Sequence, residues 1–170
     1  MTVPPRLLAA VDLVDPEPDA RVLEVGCGRG VAAALLVDRL PRGHYTGIDR
    51  SATATAATAA RLAGRGLVCA TSLAAFEPDP GAFDLALAVN VNAFWTGPAR
   101  AELAVLATAL RPGGLLHLVY GSDGGAAPRT DVVDRLADHL AAGGFDPEID
   151  VATRRGVQLL HVRAVRGDQA

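Results

Sequence analysis

Lysine is absent from this 170-residue sequence, so that every side chain counted as Lys or Arg is an arginine. The formal net charge is only −3, and no block of like charge runs along the chain. A mildly acidic chain without a basic stripe argues against nucleic acid as the main partner. One or two arginines can still hold a small anionic substrate. Enrichment in arginine, alanine and glycine indicates a GC-rich bacterial genome.

Cysteines, aromatic residues and long apolar runs are also scarce. The two cysteines, Cys27 and Cys69, form no CxxC pattern and are too few for a disulfide framework or a zinc site, so we expect no metal. No apolar run approaches the ~18 residues of a membrane span, and the apolar stretch near the N-terminus is too short for a signal peptide. We therefore expect a cytoplasmic protein without membrane contact, folded as one domain over residues 1–170.

Hydrophobic periodicity predicts strands and helices in regular alternation after a short helix over residues 5–15. Two further strands, near 148–153 and 157–164, flank Gly156 and are typical of a hairpin. Alternation predicts an α/β fold: a doubly wound, mainly parallel, seven-stranded Rossmann-like sheet with a C-terminal antiparallel hairpin, its core at 20–165. The other predicted strands are 21–25, 44–48, 66–71, 83–89 and 115–120. The other predicted helices are 30–40, 51–64, 98–110 and 130–142, with Ser51 and Thr130 as caps and 111–114 as a turn.

A glycine-rich segment joins the first long strand to the next helix. It reads Glu24-Val25-Gly26-Cys27-Gly28-Arg29-Gly30. In an open α/β sheet, ligands bind at the carboxyl ends of the strands, where the strand order reverses. Glycines there allow a tight turn and let the backbone approach a ligand. The dinucleotide fingerprint G-x-G-x-x-G would need its third glycine at Val31, and the spacing here is G-x-G-x-G instead.

Three further motifs follow the glycine loop in order. Asp49 ends the second strand, where a carboxylate can accept hydrogen bonds from both hydroxyls of a ribose or can serve as a turn residue. Phe83–Ala88 and Leu110–Leu116 come at the fourth strand and at the turn into the fifth. Together the four motifs resemble class I S-adenosylmethionine (SAM)-dependent methyltransferases of the small, single-domain, type 11/25-like kind, over about residues 20–165.

The resemblance implies a SAM-binding site on these motifs. Glu24 would hold the glycine loop or reach the amino group of SAM. The loop itself, through Gly26, Cys27, Gly28 and Gly30, would pass close to the methionine part. Asp49 would bind the ribose, and Arg50 would lie beside the adenine and stack on it. Asn90, at the end of the fourth strand, would line the methionine side.

The adenine side departs from the family pattern. Many relatives carry an aspartate after the third strand, and this chain has Cys69-Ala70-Thr71-Ser72 there. Thr71 or Ser72 can offer a hydroxyl, which makes a weaker contact than a carboxylate. Adenine recognition would therefore depend on a hydroxyl in place of the family's carboxylate.

The stretch Asn90–Trp95 follows the fourth strand and would face the methyl group of SAM and its acceptor. It lacks the Asn/Asp-Pro-Pro-aromatic motif of nucleobase methyltransferases. Phe94 and Trp95 would wall an apolar pocket or pack in the core. Asn92 would contact the acceptor or cap the next element, and Tyr120 would orient the acceptor; these two are the catalytic candidates. The four histidines are poor candidates for a base, and Cys27 fits a small filler better than a nucleophile.

The sequence thus predicts a SAM-dependent methyltransferase that acts on a small molecule. Two alternatives remain: a nicotinamide-dependent enzyme of the same fold, and a catalytically silent subunit that serves a larger enzyme. Little chain is left for a lid, so the acceptor pocket is either open or completed by a second subunit, for example in a homodimer.

Overall fold

A computed structural model describes residues 3–121 and 130–167 as a single seven-stranded sheet with helices on both faces. Apolar runs bounded by glycine, proline or aspartate form the strands, and residues with helical periodicity form the helices between them. The strands are β1 (Arg21–Val25), β2 (His44–Asp49), β3 (Leu67–Ala70), β4 (Phe83–Val89), β5 (Leu110–Tyr120), β6 (Phe145–Arg154) and β7 (Val157–Arg166). The helices are α1 (Pro5–Val14), α2 (Val31–Val37), α3 (Ala52–Leu62), α4 (Ala93–Thr96), α5 (Arg100–Ala109) and α6 (Thr130–Ala142).

The strand order is β3-β2-β1-β4-β5-β7-β6. The first five strands pair in parallel, and β7 pairs antiparallel with both β5 and β6. The predicted α/β fold, with a doubly wound sheet and a terminal hairpin, is confirmed. The order reverses between β1 and β4, which makes the carboxyl ends of these two strands the expected place for a ligand.

Two apolar clusters fill the space between the sheet and its helices. On one face α1, α2 and the end of α3 cover the side chains of Val22, Leu87 and Val119. On the other face α4, α5 and α6 cover those of Leu23 and Ala86. The central strands are buried on both faces, which explains why β4 reads as one continuous apolar run. Among the described residues, no helix has the length and apolarity needed to cross a membrane.

The structure corrects several predicted boundaries. α5 begins at Arg100 after a left-handed Ala99, two residues later than Pro98, and the short helix α4 precedes it. Residues 111–114 are not a separate turn but bulge out within β5, because β4 pairs with Leu110 on one side of them and with Leu115 on the other. Ser51 caps α3 as predicted, by accepting from the amide of Ala54 at 3.2 Å. The loop at 122–129 and the predicted cap by the Thr130 side chain lie outside the described residues and side chains.

Two of the motifs found in sequence meet at the amino end of the sheet. The Asp84 carboxylate of β4 accepts hydrogen bonds from the backbone and guanidinium of Arg21, at 2.9–3.1 Å. It also accepts one from Nε of Arg111, in the β5 bulge, at 2.7 Å. These bonds hold the pKa of Asp84 well below its usual range. This cluster ties β1, β4 and β5 together at the edge opposite the glycine loop.

Candidate functional site at the carboxyl edge of the sheet

Parallel pairing brings four of the predicted site segments to one edge of the sheet. Val25 is in register with both Ile48 of β2 and Ala88 of β4. Asp49 is in register with Ala70 of β3. The glycine loop and the segments that begin at Asp49, Thr71 and Asn90 therefore leave the sheet side by side. The strand reversal between β1 and β4 lies within this row, as expected for an open α/β sheet.

The glycine loop has a backbone that requires glycine. Gly26, Gly28 and Gly30 all have positive φ angles, of 74°, 54° and 77°. A Cβ at Gly30 would also lie 2.8 Å from the Thr58 side chain. The amides of Gly26 and Cys27 both donate to the Ile48 carbonyl, at 2.8 and 3.0 Å. The loop is thus a tight turn that is fastened to the end of β2.

Asp49 holds this loop with its carboxylate. One oxygen accepts from the amide of Gly28 and the other from the amide of Ser51, both at 2.9 Å. The side chain is only partly buried. A carboxylate has about four acceptor sites, so about two remain for a ligand. The structure therefore gives Asp49 the turn role considered in sequence and leaves it able to accept hydrogen bonds from a diol.

Glu24 lies behind the loop and not in it. Its side chain is 3% exposed, and Oε2 accepts a hydrogen bond from the Tyr45 hydroxyl at 2.5 Å. Burial raises the pKa of Glu24 to about 7, with a further rise from the nearby Asp49, while the Tyr45 hydroxyl lowers it. The hydrogen bond described for the Glu24 side chain joins it to Tyr45 of β2 and not to the backbone of the loop, so the role of holding the loop stays a prediction. At 3% exposure, the carboxylate is buried away from the surface that a ligand would contact.

Cys27 and Thr58 complete the support of the loop. Burial, with the charge of Glu24 nearby, raises the pKa of the Cys27 thiol to about 11, so that the thiol stays protonated near neutral pH. This agrees with a filler and not a nucleophile. The hydroxyl of Thr58, on the buried face of α3, donates to the Gly28 carbonyl at 2.7 Å. Sequence reasoning missed both Thr58 and Tyr45. The only local signal for Thr58 was a pair of threonines, Thr55 and Thr58, at helical spacing on the face that α3 buries.

The adenine-side candidates follow β2 and β3. Arg50 is exposed, and Thr71 and Ser72 are half-buried. The amide of Thr71 donates to the Asp49 carbonyl at 2.9 Å, which keeps the two segments together. The Thr71 hydroxyl donates to the Ser72 carbonyl at 3.2 Å and can still accept. The structure thus groups these three residues at one end of the edge, beside Asp49.

Asn90 joins the ends of β4 and β5. Its amide nitrogen donates to the Gly121 carbonyl at 2.9 Å, and its amide oxygen accepts from the Gly121 amide at 3.0 Å. Asn90 also has a positive φ of 56°. The Tyr120 hydroxyl donates to the Val91 carbonyl at 2.9 Å, and Tyr120 is 6% exposed. Both side chains therefore shape the loop after β4, and the Tyr120 hydroxyl is already engaged.

The two catalytic candidates differ in exposure. Asn92 is exposed at the N-terminus of α4, and its side chain makes no capping hydrogen bond. It is therefore the candidate that remains accessible, whereas Tyr120 is buried. Phe94 is 1% exposed and packs in the core, so it does not wall a pocket. Trp95 is half-buried against the same core cluster.

Two open clefts lie away from this edge. One, of about 870 Å³, is bordered by His44 and Leu67, at the amino ends of β2 and β3. The other, of about 480 Å³, is bordered by Asp84 and Arg111. Both lie at the amino end of the sheet, where parallel α/β sheets do not place their ligands. The carboxyl edge is therefore the better candidate.

Comparison with known proteins gives one family match and several relatives. Residues 23–116 match the model of a family described as a methyltransferase domain. A trans-aconitate 2-methyltransferase from Paracidovorax citrulli is 36% identical over 99 residues, which are 58% of this chain and 38% of that protein. The nocamycin O-methyltransferase from Saccharothrix syringae is 37% identical over 113 residues, which are 64% of this chain and 40% of that protein. The chain thus spans about two fifths of the length of these relatives.

Solved structures show the same fold. The 1,6-didemethyltoxoflavin-N1-methyltransferase from Burkholderia thailandensis, with 1,6-didemethyltoxoflavin and S-adenosylhomocysteine bound, superposes with a TM-score of 0.70 at 24% identity. The match covers 96% of this chain and 77% of that one. The matched family segment contains the glycine loop, Asp49 and the loop after β4, so the same residues carry the family match and the candidate site.

Proposed function

Because the chain belongs to the methyltransferase domain family, we propose that it binds SAM at the carboxyl edge and transfers the methyl group to a small-molecule acceptor. The observation that carries this proposal is the joint position of the glycine loop and the Asp49 carboxylate, which are hydrogen-bonded to each other at 2.9 Å. Relatives named for trans-aconitate, nocamycin and 1,6-didemethyltoxoflavin support a small-molecule acceptor.

The residues at this edge fit SAM. Gly26 is exposed, and a Cβ added to it would lie 2.9 Å from the Val91 side chain. Glycine therefore fits here without displacing Val91, and its backbone is accessible to a ligand. Asp49 keeps about two acceptor sites for the ribose hydroxyls. Arg50, Thr71 and Ser72 would hold the adenine, and Asn90 would line the methionine side.

Methyl transfer requires little of the protein beyond positioning the acceptor and the methyl donor. Bound SAM would supply a methyl group on a sulfonium, and its transfer to the acceptor would leave the electrons of the broken carbon–sulfur bond on sulfur. Holding two reactants in line is worth about 7–11 kcal/mol in favourable cases. A base is needed only where the acceptor must first lose a proton. We place the acceptor beside the exposed Asn92, while Tyr120 acts by holding the Val91 carbonyl.

The site is tested by calorimetry with SAM, S-adenosylhomocysteine and NAD(H). We expect the first two to bind and NAD(H) not to bind. Asp49→Ala should weaken S-adenosylhomocysteine binding by about 1.5–3 kcal/mol, the scale of hydrogen bonds to a charged group. Asp38→Ala is the matched control, because Asp38 is an exposed aspartate that pairs with Arg65 away from the loop. Its effect should be small.

A ribose analogue separates the two roles of Asp49. The 2′-deoxy analogue of S-adenosylhomocysteine should bind the wild-type protein more weakly than the parent compound. In Asp49→Ala this difference should largely vanish, because the partner of the hydroxyl is gone. If the analogue loses the same affinity in both proteins, Asp49 holds only the loop and the ribose lies elsewhere.

The remaining parts of the proposal concern partners and place. We propose that the chain acts as one SAM-binding domain in the cytoplasm of a bacterium, does not bind nucleic acid, and forms a homodimer if a second subunit completes the acceptor pocket. Two outcomes would replace this proposal. Binding of NAD(H) alone would favour a nicotinamide-dependent enzyme, and absence of cofactor binding together with a larger co-purifying enzyme would favour a silent subunit.

A further inference from the structure

A tyrosine and a carboxylate are buried together behind the glycine loop. Tyr45 and Glu24 are each 3% exposed, and the Tyr45 hydroxyl donates to Oε2 of Glu24 at 2.5 Å. Neither side chain reaches the surface where a ligand would bind. Any effect of this pair on a ligand must therefore act through the loop or through charge.

The backbone around Tyr45 is shaped to receive its ring. A Cβ on Gly47 would lie 2.4 Å from the Tyr45 hydroxyl oxygen and 3.0 Å from Cζ. A Cβ on Gly66 would lie 2.8 Å from Cδ1 of the same ring. Real Cβ atoms do not approach this closely, so the ring occupies space that two glycines leave free. The Tyr45 side chain thus lies along β2 over Gly47, with its hydroxyl near the loop.

The charges around Glu24 are unusual for a buried carboxylate. Among residues 3–121 and 130–167, the ionisable groups that face it are Tyr45 on β2, Cys27 in the loop and Asp49 at the end of β2. None of these three is a cation. A buried carboxylate without a cation is costly to ionise, and burial accordingly raises the pKa of Glu24 to about 7. The Tyr45 hydrogen bond opposes this rise.

A negative charge without a cation partner, placed behind a cofactor loop, suits a ligand that brings a positive charge. We propose that Tyr45 is a positioning residue that keeps the Glu24 carboxylate fixed and ionised, so that its charge favours SAM over S-adenosylhomocysteine. The two ligands differ by the methyl group and by the positive charge on sulfur. The pair would thereby help the protein to keep the methyl donor and to release the product. This inference rests on the proposed SAM binding.

The test measures the ratio of the two dissociation constants, S-adenosylhomocysteine over SAM, by calorimetry at about pH 6, 7.5 and 9. Charges separated by several ångströms near a protein surface interact by an amount that corresponds to about a three- to tenfold change in this ratio. At about pH 7.5 we expect Tyr45→Phe to lower the ratio, because loss of the donor raises the pKa of Glu24 and leaves it more protonated. Near pH 9 the carboxylate ionises again, and the ratio should recover.

Glu24→Gln is the second variant, and it keeps an acceptor for the Tyr45 hydroxyl. Near pH 9, where Glu24 of the wild type is ionised, it should lower the ratio three- to tenfold, without the recovery expected for Tyr45→Phe, because no carboxylate remains to ionise. Near pH 6 its effect should be small, because burial raises the pKa of Glu24 to about 7 and the wild-type carboxyl is itself largely protonated there. Val22→Ala, a fully buried change on the same face of β1, is the control for lost packing and should leave the ratio unchanged. Dividing each variant's ratio by that of the wild type cancels the titration of the ligands themselves.

Three results overturn the inference. In the first, Tyr45→Phe weakens both ligands equally at every pH, as a purely structural role would. In the second, Tyr45→Phe leaves the ratio at the wild-type value at about pH 7.5. In the third, Glu24→Gln keeps the wild-type ratio at about pH 9. Failure of the proposed function looks different, because the wild-type protein would then bind neither SAM nor S-adenosylhomocysteine.

Discussion

Removal of one hydroxyl from α3 should loosen the glycine loop. Thr58 is fully buried, and its hydroxyl donates to the Gly28 carbonyl at 2.7 Å and contacts the Ala54 carbonyl of its own helix at 3.1 Å. Thr58→Val keeps the branched shape but replaces this donor by a methyl group. The methyl group cannot approach a carbonyl oxygen to 2.7 Å, so the loop must also shift.

The expected magnitude follows from the contacts that are lost. A net hydrogen bond is worth about 1 kcal/mol, and a buried acceptor left without a partner costs about 1–3 kcal/mol. Because Gly28 is only partly buried, water can replace part of this loss. We therefore expect the free energy of unfolding to fall by about 2 kcal/mol. We expect S-adenosylhomocysteine to bind about tenfold more weakly, since about 1.4 kcal/mol of loop ordering would move to the binding step.

The chain offers a matched control one turn earlier in α3. Thr55 is also buried, but its hydroxyl donates only to Ser51 and Ala52, next to its own helical turn. Thr55→Val should therefore leave S-adenosylhomocysteine binding close to the wild-type value, and Thr58→Ser should restore most of what Thr58→Val loses. Urea unfolding and calorimetry measure both quantities. Equal effects of Thr55→Val and Thr58→Val on binding would refute the role of the hydroxyl in the loop.

Three further predictions concern the rest of the fold. Phe94→Ala should lower the free energy of unfolding by about 3–5 kcal/mol in urea, because Phe94 is 1% exposed; a loss below about 1 kcal/mol would contradict its place in the core. Asp84→Asn should lower the free energy of unfolding in urea by about 1–2 kcal/mol near pH 7. Since the arginines depress the pKa of Asp84, the difference between variant and wild type should disappear only in strong acid. Burial lowers the pKa of His117 to about 3, beside His161 at 2.9 Å. Below about pH 6.5, His117 is therefore protonated in the unfolded state but not in the folded state. The free energy of unfolding should fall by roughly 1.4 kcal/mol for each pH unit below this value, as the contribution of this one group. His117→Leu should flatten that part of a pH series of urea unfolding, and an unchanged slope would contradict it.

The sheet could be predicted from the sequence because each buried strand is an apolar run that the sequence itself shows. β4 begins and ends at the predicted residues Phe83 and Val89, since a strand buried on both faces is an apolar run between polar or turn residues. The short helix α4 could not be predicted in this way, because its four residues are too few to show a helical period. The bulge at 111–114 has ordinary turn residues, and only pairing with β4 shows that the strand continues past them.

The candidate site also contains some residues that could be predicted from the sequence and others that could not. Positions such as Gly26 and Asp49 could be predicted, because a motif fixes both their residue types and their place at the end of a strand. Tyr45 and Thr58 could not, since their roles depend on contacts with residues 21 and 30 positions away in sequence. Nothing in the local pattern of β2 distinguishes Tyr45 from an ordinary core residue, and the spacing of Thr58 from Thr55 places Thr58 on the buried face of α3 without showing what it contacts.

Asp49 shows how the two kinds of information combine. The motif predicts a carboxylate that accepts hydrogen bonds from a ribose, and the structure shows the same carboxylate accepting from the amides of Gly28 and Ser51. One side chain therefore orders the loop before any ligand arrives and still has acceptor sites to offer. A ligand with a diol gains from the order that Asp49 has already imposed on the loop, because that entropy is not lost again on binding. For the same reason, substitution of Asp49 removes both the contact and the order, and only the 2′-deoxy analogue can separate them.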